Sequence, residues 1–534
     1  MLRLPLRDPI TIVRRCSRAI AALAFAGAAG GCSTLMTDTG FGPATPAAPA
    51  ADAKTAAPAD LSGFDQAIGA KTDDLAAAYA TRAEARAHQP DAAGAVADLD
   101  HYLALEPASG LAWLVRGEVR VANHEFAGAV ADFSQALKLG FPASDQAAAG
   151  GAAILNRLLQ SQFPGMRPSD SANAYYLRGV AEQTQGDIAG AIADFDQAIT
   201  ADPEFSAAFN SRGIAKSLVR DATGAVADFT SAIKLDPAAA DAYANRGRIL
   251  LAARNPDAAL QDLNQAIQLK PEWATAYFDR ASIQQRAGNL DAAIDDLSKA
   301  IALKSDYGDA YFNRAVDYDR KGNLAAALDD YNKLVGLQPE APDAYANRGV
   351  DKYRQGDMDG AIADFSKAIA LKRDFVKAYL ERAVADRLKG DTAGAIADYG
   401  KVIELADRET AMYPQLFRSV FMREAHGDTA PQDFIDLVAG WPDGWAKRLG
   451  SYLGGSLTEA DLLDQADRAE AKTASAHHCD ACYFIGMNDL IAGKTDAAKD
   501  YFQKCTATGR DDLFAFKFAQ SELARLAPPT APAQ

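Results

Sequence analysis

The side chains best suited to chemistry lie together near the C-terminus, in residues 477–505. Two histidines and two cysteines form the sequence HHCDAC, which begins at His477, and Cys505 follows in the next predicted helix. Such side chains could bind a metal ion, or the Cys-x-x-Cys pair could exchange a disulfide. A metal site needs four well-placed ligands, and a redox pair needs to start a helix after a strand, which the sequence does not predict here. A redox or metal-binding protein that uses this segment is therefore our third functional hypothesis.

No other segment carries a catalytic motif. The sequence GKT at 493–495 lacks an earlier glycine at the spacing that a phosphate-binding loop requires. His88, His101 and His124 are scattered, and the chain contains neither HExxH nor a nucleophile elbow. We therefore expect no enzyme activity, no catalytic residue, no metal and no cofactor.

The elements that position these residues belong to an internal repeat. An arginine recurs every 34 residues, at Arg178, Arg212, Arg246, Arg280, Arg314, Arg348 and Arg382. When each repeat is counted from its first residue, beginning with Ala172, the arginine is position 7. Position 8 is always glycine or alanine, position 20 is alanine, and position 24 is large and apolar. Such spacings are helical, and a fixed period of this length is typical of stacked supersecondary units.

Turn signals divide each repeat into two antiparallel helices. Gly186-Asp187 and Gly390-Asp391 stand at the midpoint, where glycine ends the first helix and aspartate caps the second. Proline then closes several repeats, as at Pro203 and Pro237.

Every arginine at position 7 is matched by an aspartate at position 23. The aspartates are Asp194, Asp228, Asp262, Asp296, Asp330, Asp364 and Asp398. The pairs could form a charged ladder for a ligand, or they could join the two helices of one hairpin. We favour the structural interpretation, in which each partly exposed pair contributes roughly 0–1 kcal/mol.

The pattern of small and large residues resembles the tetratricopeptide repeat family. The resemblance implies an all-α, right-handed α-solenoid of helical hairpins with an irregular helical C-terminal region. The predicted segments are a signal peptide (1–32), a tether (33–60), N-terminal repeats (61–143), an interruption or hinge (144–171), seven repeats (172–409), an irregular helical segment (410–478), a final repeat with a capping helix (479–527) and a disordered tail (528–534).

The N-terminus has the features of a bacterial lipoprotein signal. Five arginines precede a short apolar run that ends in GGCS, and Cys32 is the predicted lipidation site. Residues 33–60 are rich in alanine and proline, which is typical of a flexible tether. We expect an outer-membrane protein that is lipid-anchored and faces the periplasm, with a soluble periplasmic protein as the alternative.

The cysteines have a structural interpretation in this compartment. Cys482 and Cys505 are positions 4 and 27 of the last unit, which face each other across a hairpin, so we predict a disulfide between them. Buried free thiols are the alternative, and metal or redox chemistry is the third.

The charge balance limits the partners. The chain has 71 acidic and 55 basic residues and a net charge of −16, so we expect it to repel nucleic acid. In a tetratricopeptide stack, positions 2, 5, 9 and 12 of the first helix line the concave face. The candidate peptide-groove residues are Tyr176, Asn210, Asp241, Phe278, Asp309, Phe312, Asp319, Asp343 and Tyr353. Aromatic side chains with an acidic rim suit an extended or helical peptide that carries basic residues.

The C-terminal segment adds a second resemblance. Trp441, Trp445 and the sequence YFIG at 483–486 follow an order similar to that of the NlpI-like outer-membrane tetratricopeptide lipoproteins. That resemblance implies a non-catalytic envelope scaffold that recruits peptidoglycan hydrolases or a processing protease through its concave face, with a homodimer as a further expectation. The alternative is a component of a secretion, polysaccharide-export or outer-membrane assembly machine.

Overall fold

The structure is a computed structural model, and it describes residues 61–69, 75–89, 91–141, 150–162, 171–427 and 430–527. All regular elements in these ranges are helices, which confirms the predicted all-α fold of stacked hairpins. The described residues fall into two compact units, an N-terminal unit that ends at Ala287 and a C-terminal unit that begins at Gly288.

The N-terminal unit consists of helical hairpins with one inserted helix. Its described helices are α1 (Ser62–Gly69), α2 (Leu75–Ala87), α3 (Ala92–Leu105), α4 (Gly110–Ala122), α5 (Phe126–Leu139), α6 (Gly150–Gln162), α7 (Ser171–Gln185), α8 (Ile188–Ala201), α9 (Ser206–Leu218), α10 (Ala222–Leu235), α11 (Ala240–Ala252), α12 (Pro256–Leu269) and α13 (Ala274–Ala287). The pairs α2/α3, α4/α5, α7/α8, α9/α10 and α11/α12 each form one hairpin.

The C-terminal unit continues the repeat and then departs from it. Its described helices are α14 (Leu290–Leu303), α15 (Gly308–Arg320), α16 (Leu324–Leu337), α17 (Pro342–Arg354), α18 (Met358–Leu371), α19 (Val376–Lys389), α20 (Thr392–Leu405), α21 (Arg408–His426), α22 (Gln432–Ala439), α23 (Trp445–Leu453), α24 (Glu459–Asp467), α25 (Ala471–Ile491), α26 (Thr495–Ala507) and α27 (Phe514–Leu526). The pairs α15/α16, α17/α18, α19/α20 and α25/α26 form hairpins.

The small residue at position 8 lets the two helices of a hairpin approach closely. In α17 a Cβ added to Gly349 would lie 2.7 Å from Cε1 of Phe365, the position 24 residue of α18, and carbon atoms do not approach so closely. Phe365 is 1% exposed, so the hairpin buries a whole aromatic side chain against backbone. Such burial contributes about 1.5–3 kcal/mol.

The turn between the two helices needs a left-handed residue at position 15. Gly356 has a φ of 88°, whereas Arg220 and Arg254 occupy the same position with φ values of 65° and 64°. The next residue caps the second helix, as Asp357 does by accepting a hydrogen bond from the Gly360 N–H at 2.9 Å. These contacts confirm the predicted division of the repeat.

The packing changes after α20, where α21 takes the place of a first helix. Position 8 of this segment is Phe417, which is 3% exposed. Its ring centroid lies between 5.3 and 6.4 Å from those of six aromatic residues, Tyr399, Tyr413, Phe421, Tyr483, Phe484 and Phe518. The first helix of the last hairpin, α25, begins at Ala471, ahead of the predicted repeat start at 479.

Candidate peptide groove

The periodic arginine joins the two helices of one hairpin. Nε of Arg314 donates to Oδ2 of Asp330 at 2.8 Å, and Nη2 donates to Oδ1 at 2.7 Å. Asp330 is only 4% exposed, and its hydrogen bonds raise the pKa of the Arg314 guanidinium. The same two-pronged contact joins Arg82 to Asp98, Arg116 to Asp132, Arg178 to Asp194, Arg212 to Asp228, Arg246 to Asp262, Arg348 to Asp364 and Arg382 to Asp398.

The remaining nitrogen of the same guanidinium reaches back to the preceding repeat. Nη1 of Arg314 donates to Oγ of Ser298, at position 25 of the preceding second helix, at 2.9 Å. Equivalent contacts join Arg116 to Asp100, Arg178 to Ser134, Arg212 to Asp196, Arg246 to Thr230, Arg280 to Asn264, Arg348 to Asn332 and Arg382 to Ser366. The structural interpretation of the Arg–Asp pairs is therefore confirmed, because the guanidinium nitrogens contact groups within the stack.

We call the residues at positions 2, 5, 6, 9 and 12 of each first helix the groove face. In the N-terminal unit the groove face carries a polar chain across α9, α11 and α13. Nδ2 of Asn245 donates to Oδ1 of Asn210 at 3.2 Å, and Nη2 of Arg248 donates to Oδ1 of Asn245 at 2.6 Å. Nε of Arg248 lies 3.6 Å from Oδ2 of Asp279. Burial raises the pKa of Asp279 to about 6.

Two predicted groove residues of this unit are buried and serve packing. Tyr176 is 7% exposed and lies against Phe195 and Phe205, with ring centroids 5.9 and 5.0 Å away. Asn210 is 5% exposed within the polar chain. Asp241 is half-buried with its Oδ1 4.0 Å from Nζ of Lys270.

In the C-terminal unit the predicted residues remain more accessible. Asp309 and Asp343 are exposed, and Asp319 pairs with Arg354 on the next first helix. Phe312 packs edge-on against Tyr331 at 6.1 Å between ring centroids. The exposed residues of the predicted acidic rim therefore lie on α15 and α17, whereas Asp241 and Phe278 of the other unit are half-buried.

Position 10 of α17, which is outside the groove face, is a buried carboxyl group. Asp351 is 1% exposed, and its Oδ2 has no hydrogen-bond partner among the described residues. Oδ1 lies 3.7 Å from Nη1 of Arg354. Burial raises the pKa of Asp351 to about 7, against the smaller opposing effect of Lys377.

Helix α6 covers part of the groove face of the N-terminal unit. It lies in the predicted interruption and packs on α2 and α4, the first helices of the two N-terminal repeats. Leu155, Leu158 and Leu159 are 0%, 1% and 0% exposed. Arg157 bonds to Glu84, a position 9 residue, with Nη2 3.2 Å from Oε2.

Helix α27 similarly reaches α19 in the C-terminal unit. Arg387, at position 12, places Nη2 2.5 Å from Oε1 of Glu522 and 2.8 Å from Oε2 of Glu424. Nζ of Lys517 lies 4.8 Å from the ring centroid of Tyr353. The predicted groove residue Tyr353 is thus in contact with the predicted capping helix.

Sequence reasoning missed the polar residues at position 6. From the second regular repeat onward these are Ser211, Asn245, Asp279, Asn313, Asn347 and Glu381. A column of polar side chains on a helix that is otherwise packed was a signal that could have found them.

The structure does not form the predicted disulfide between Cys482 and Cys505. The three cysteines among the described residues are free and buried, and Sγ of Cys479 is the sulfur that lies beside Sγ of Cys505, at 3.2 Å. Cys479 and Cys505 are positions 1 and 27 of the last unit, and these positions also meet in a regular hairpin, where Oγ of Ser206 donates to the carbonyl oxygen of Ala232 at 3.1 Å.

The two histidines of the same segment have separate partners. His477 stacks on Trp445 at 4.2 Å between ring centroids, and burial lowers its pKa to about 4. Nε2 of His478 lies 2.8 Å from Oδ1 of Asp467. Within the described ranges, no three side chains of histidine, cysteine, aspartate or glutamate converge in a way that could hold a metal ion.

The predicted signal peptide, lipidation site Cys32 and tether lie outside the described residues. Among the helices that the structure describes, none combines the length and apolar character needed to cross a bilayer.

Comparison with known proteins identifies the repeat. Family models described as "Tetratricopeptide repeat" match residues 148–205, 219–272, 246–316, 308–340 and 347–409. A search of curated protein sequences gives no significant match.

Several solved structures are similar to parts of the chain. MamA is 28% identical over 30% of this chain and 94% of its own, with a TM-score of 0.29. YrrB, described as "a TPR protein with an unusual peptide-binding site", is 22% identical over 34% and 95%, with a TM-score of 0.32. The C-terminal part of a repeat protein from Cytophaga hutchinsonii is 16% identical over 45% and 98%, with a TM-score of 0.40.

Proposed function

We propose that this chain, which contains tetratricopeptide repeats, is a non-catalytic scaffold of the bacterial cell envelope. The repeats support a protein-interaction scaffold. The proposal adds that it recruits periplasmic enzymes, namely peptidoglycan hydrolases or a processing protease, to the outer membrane.

The packing of helix α6 on α2 and α4 is the observation that supports the proposed binding mode. The groove face of α2 and α4 accepts a helix through Leu155, Leu158 and Leu159, which have the spacing of one helical stripe. Arg157 adds a charged contact to Glu84 at the edge. A groove face of this chain can therefore bind a helix by its apolar side and select it by a basic residue.

The acidic rim of the C-terminal unit favours a partner segment with basic residues. Asp309 and Asp343 are exposed on successive first helices of the stack, α15 and α17. The arginines at position 7 contribute little positive charge to this face because they are bonded within the stack. Complementary charge chiefly raises the association rate and the specificity for such a segment.

The cellular location in the proposal depends on the N-terminal sequence. The basic and apolar segments before Cys32 support lipid attachment at that cysteine. Metabolic labelling with radioactive palmitate should label the parent chain, and Cys32→Ser should lose the label. Labelling of both, or of neither, would contradict the anchor.

Affinity capture from envelope extracts tests the recruited partners. The full chain, Asp343→Lys and the control Asp329→Lys are compared, because Asp329 is exposed on the second helix α16. We expect hydrolases or a protease to bind the parent and the control but to be depleted with Asp343→Lys. Recovery of export channels instead would favour the alternative of a secretion, polysaccharide-export or assembly machine.

A further inference from the structure

Two buried sulfur atoms of the last hairpin lie close enough to react with each other. Sγ of Cys479 in α25 is 3.2 Å from Sγ of Cys505 in α26, and both residues are 0% exposed. Sγ of Cys505 also lies 3.7 Å from the carbonyl oxygen of Ala515, so α27 closes over the pair. Cys482, which is 4% exposed, is one helical turn farther along α25 and lies outside hydrogen-bond range of both sulfurs.

The geometry points to a Cys479–Cys505 disulfide, and we propose that this pair is oxidised when the chain folds in the presence of a small-molecule disulfide. A disulfide has an S–S distance of about 2.05 Å, so the two sulfurs need to approach by about 1 Å. Rotation of the two side chains within the existing hairpin can supply that movement. Neither helix has to change its register.

Oxidation of the two thiols needs one two-electron oxidant, and an organic disulfide such as oxidised glutathione can supply it. One protein thiolate attacks a sulfur of oxidised glutathione. This step forms a mixed disulfide between the protein and one glutathione, and it releases the other glutathione. The second protein thiolate then attacks the mixed disulfide and releases the second glutathione. The two protein thiols lose two protons and two electrons, and the oxidant is reduced to two thiols.

The burial of the pair determines when it can react. The hydrogen bond between the two thiols and burial both raise the pKa of Cys505, and burial raises the pKa of Cys482 to about 11. A thiol with a raised pKa supplies little thiolate, which is the reactive form. The bond is therefore expected to form while α26 docks on α25 during folding.

Digestion that cleaves before aspartate separates Cys479, Cys482 and Cys505. The full chain is unfolded, refolded with oxidised glutathione, alkylated and digested without reductant. Cleavage before Asp467, Asp480, Asp500 and Asp511 places Cys479, Cys482 and Cys505 in different peptides. We expect a linked pair of peptides 467–479 and 500–510, lighter by two hydrogen atoms than their sum.

Two serine variants test which cysteines form the link. Cys482→Ser should retain the linked pair, and its unfolding midpoint should fall when reductant is added. Cys479→Ser should lose the link and the response to reductant. Alkylation of Cys479, Cys482 and Cys505 together in the refolded parent, or a link that involves peptide 480–488, would overturn the proposal.

Discussion

The regular repeats between 171 and 405 and the C-terminal region from Arg408 to Leu526 pack successive helices in different ways. In the repeats, position 7 is an arginine bonded to two second helices, and position 8 is glycine or alanine. In α21 these positions are Leu416 and Phe417. The contact of the position 7 arginine with its position 23 aspartate, here called the brace, has a fixed geometry and is found in one hairpin after another. Phe417 and the six rings around it, here called the aromatic centre, pack helices from several directions.

The residue at position 25 also changes where the regular repeat stops. Arg382 still bonds to Ser366 in the preceding repeat. Position 25 of the next second helix is Gly400, which offers no side-chain acceptor to a following arginine. The loss of the acceptor and the loss of the arginine therefore coincide.

Removal of the aromatic centre should have the largest effect. Phe417→Ala leaves a cavity among six rings, and we expect the free energy of unfolding of the C-terminal region to fall by about 4 kcal/mol. Urea unfolding followed by tryptophan fluorescence measures the change, with Trp113→Phe and Trp273→Phe in both parent and variant so that only Trp441 and Trp445 report. Leu437→Ala is the control, because Leu437 is 42% exposed and should change stability little. A loss below about 1 kcal/mol for Phe417→Ala would show that the region does not depend on this centre.

Removal of one brace should have the next largest effect. Arg314→Met leaves the buried Asp330 without its two donors, and we expect a loss of about 3 kcal/mol in the free energy of unfolding. Asp330→Leu should cost less, and the double variant should lose less than the sum of both, because no unpaired charge remains. Circular dichroism during denaturation provides the double-mutant cycle. Additive losses would contradict a coupled brace.

The close approach at position 8 predicts a smaller effect. Gly349→Ala places a Cβ against Phe365, and we expect the free energy of unfolding to fall by about 2 kcal/mol. Gly336→Ala in α16 is the matched control, because a Cβ there meets nothing within 4 Å. The control should gain up to about 1 kcal/mol from helix propensity. Equal effects at both glycines would refute the packing role of position 8.

A buried carboxyl group without a brace predicts a pH dependence. Burial raises the pKa of Asp351 to about 7, so its neutral form stabilises the fold at low pH and this contribution is lost as the pH rises through 7. Asp351→Asn should therefore be more stable than the parent at pH 8, by about 1–2 kcal/mol, and lose this advantage near pH 4. Thermal unfolding from pH 4 to pH 8 measures the difference. A constant difference would show that this carboxyl group does not titrate with folding.

The sequence predicted the repeating parts because each helix contacts only its neighbours in a fixed register. The position 7 arginine, the small position 8 residue and the caps all act within or between adjacent hairpins, so their period reveals them. The contacts of α6 with α2 and α4, and of α27 with α19, join helices that no period relates. Cys479 rather than Cys482 lies beside Cys505 because position 1 meets position 27 within one hairpin, a contact that the spacing of residues alone did not distinguish from that of position 4.

The candidate groove was predicted only in part for a similar reason. Position numbers assign a side chain to a helix face, but burial depends on neighbours of different size. Tyr176 and Asn210 are covered by adjacent side chains, while Asp309 and Asp343 remain exposed.

The central claim is that a partner binds the groove face and not the second helices. Site-specific photo-crosslinking in producing cells tests it, with a photoreactive phenylalanine derivative placed at Asp343 or at Asp329 of the full chain. We expect a discrete crosslinked partner from position 343 and none from position 329. Crosslinking from position 329 alone, or equally from both positions, would contradict binding at the groove face.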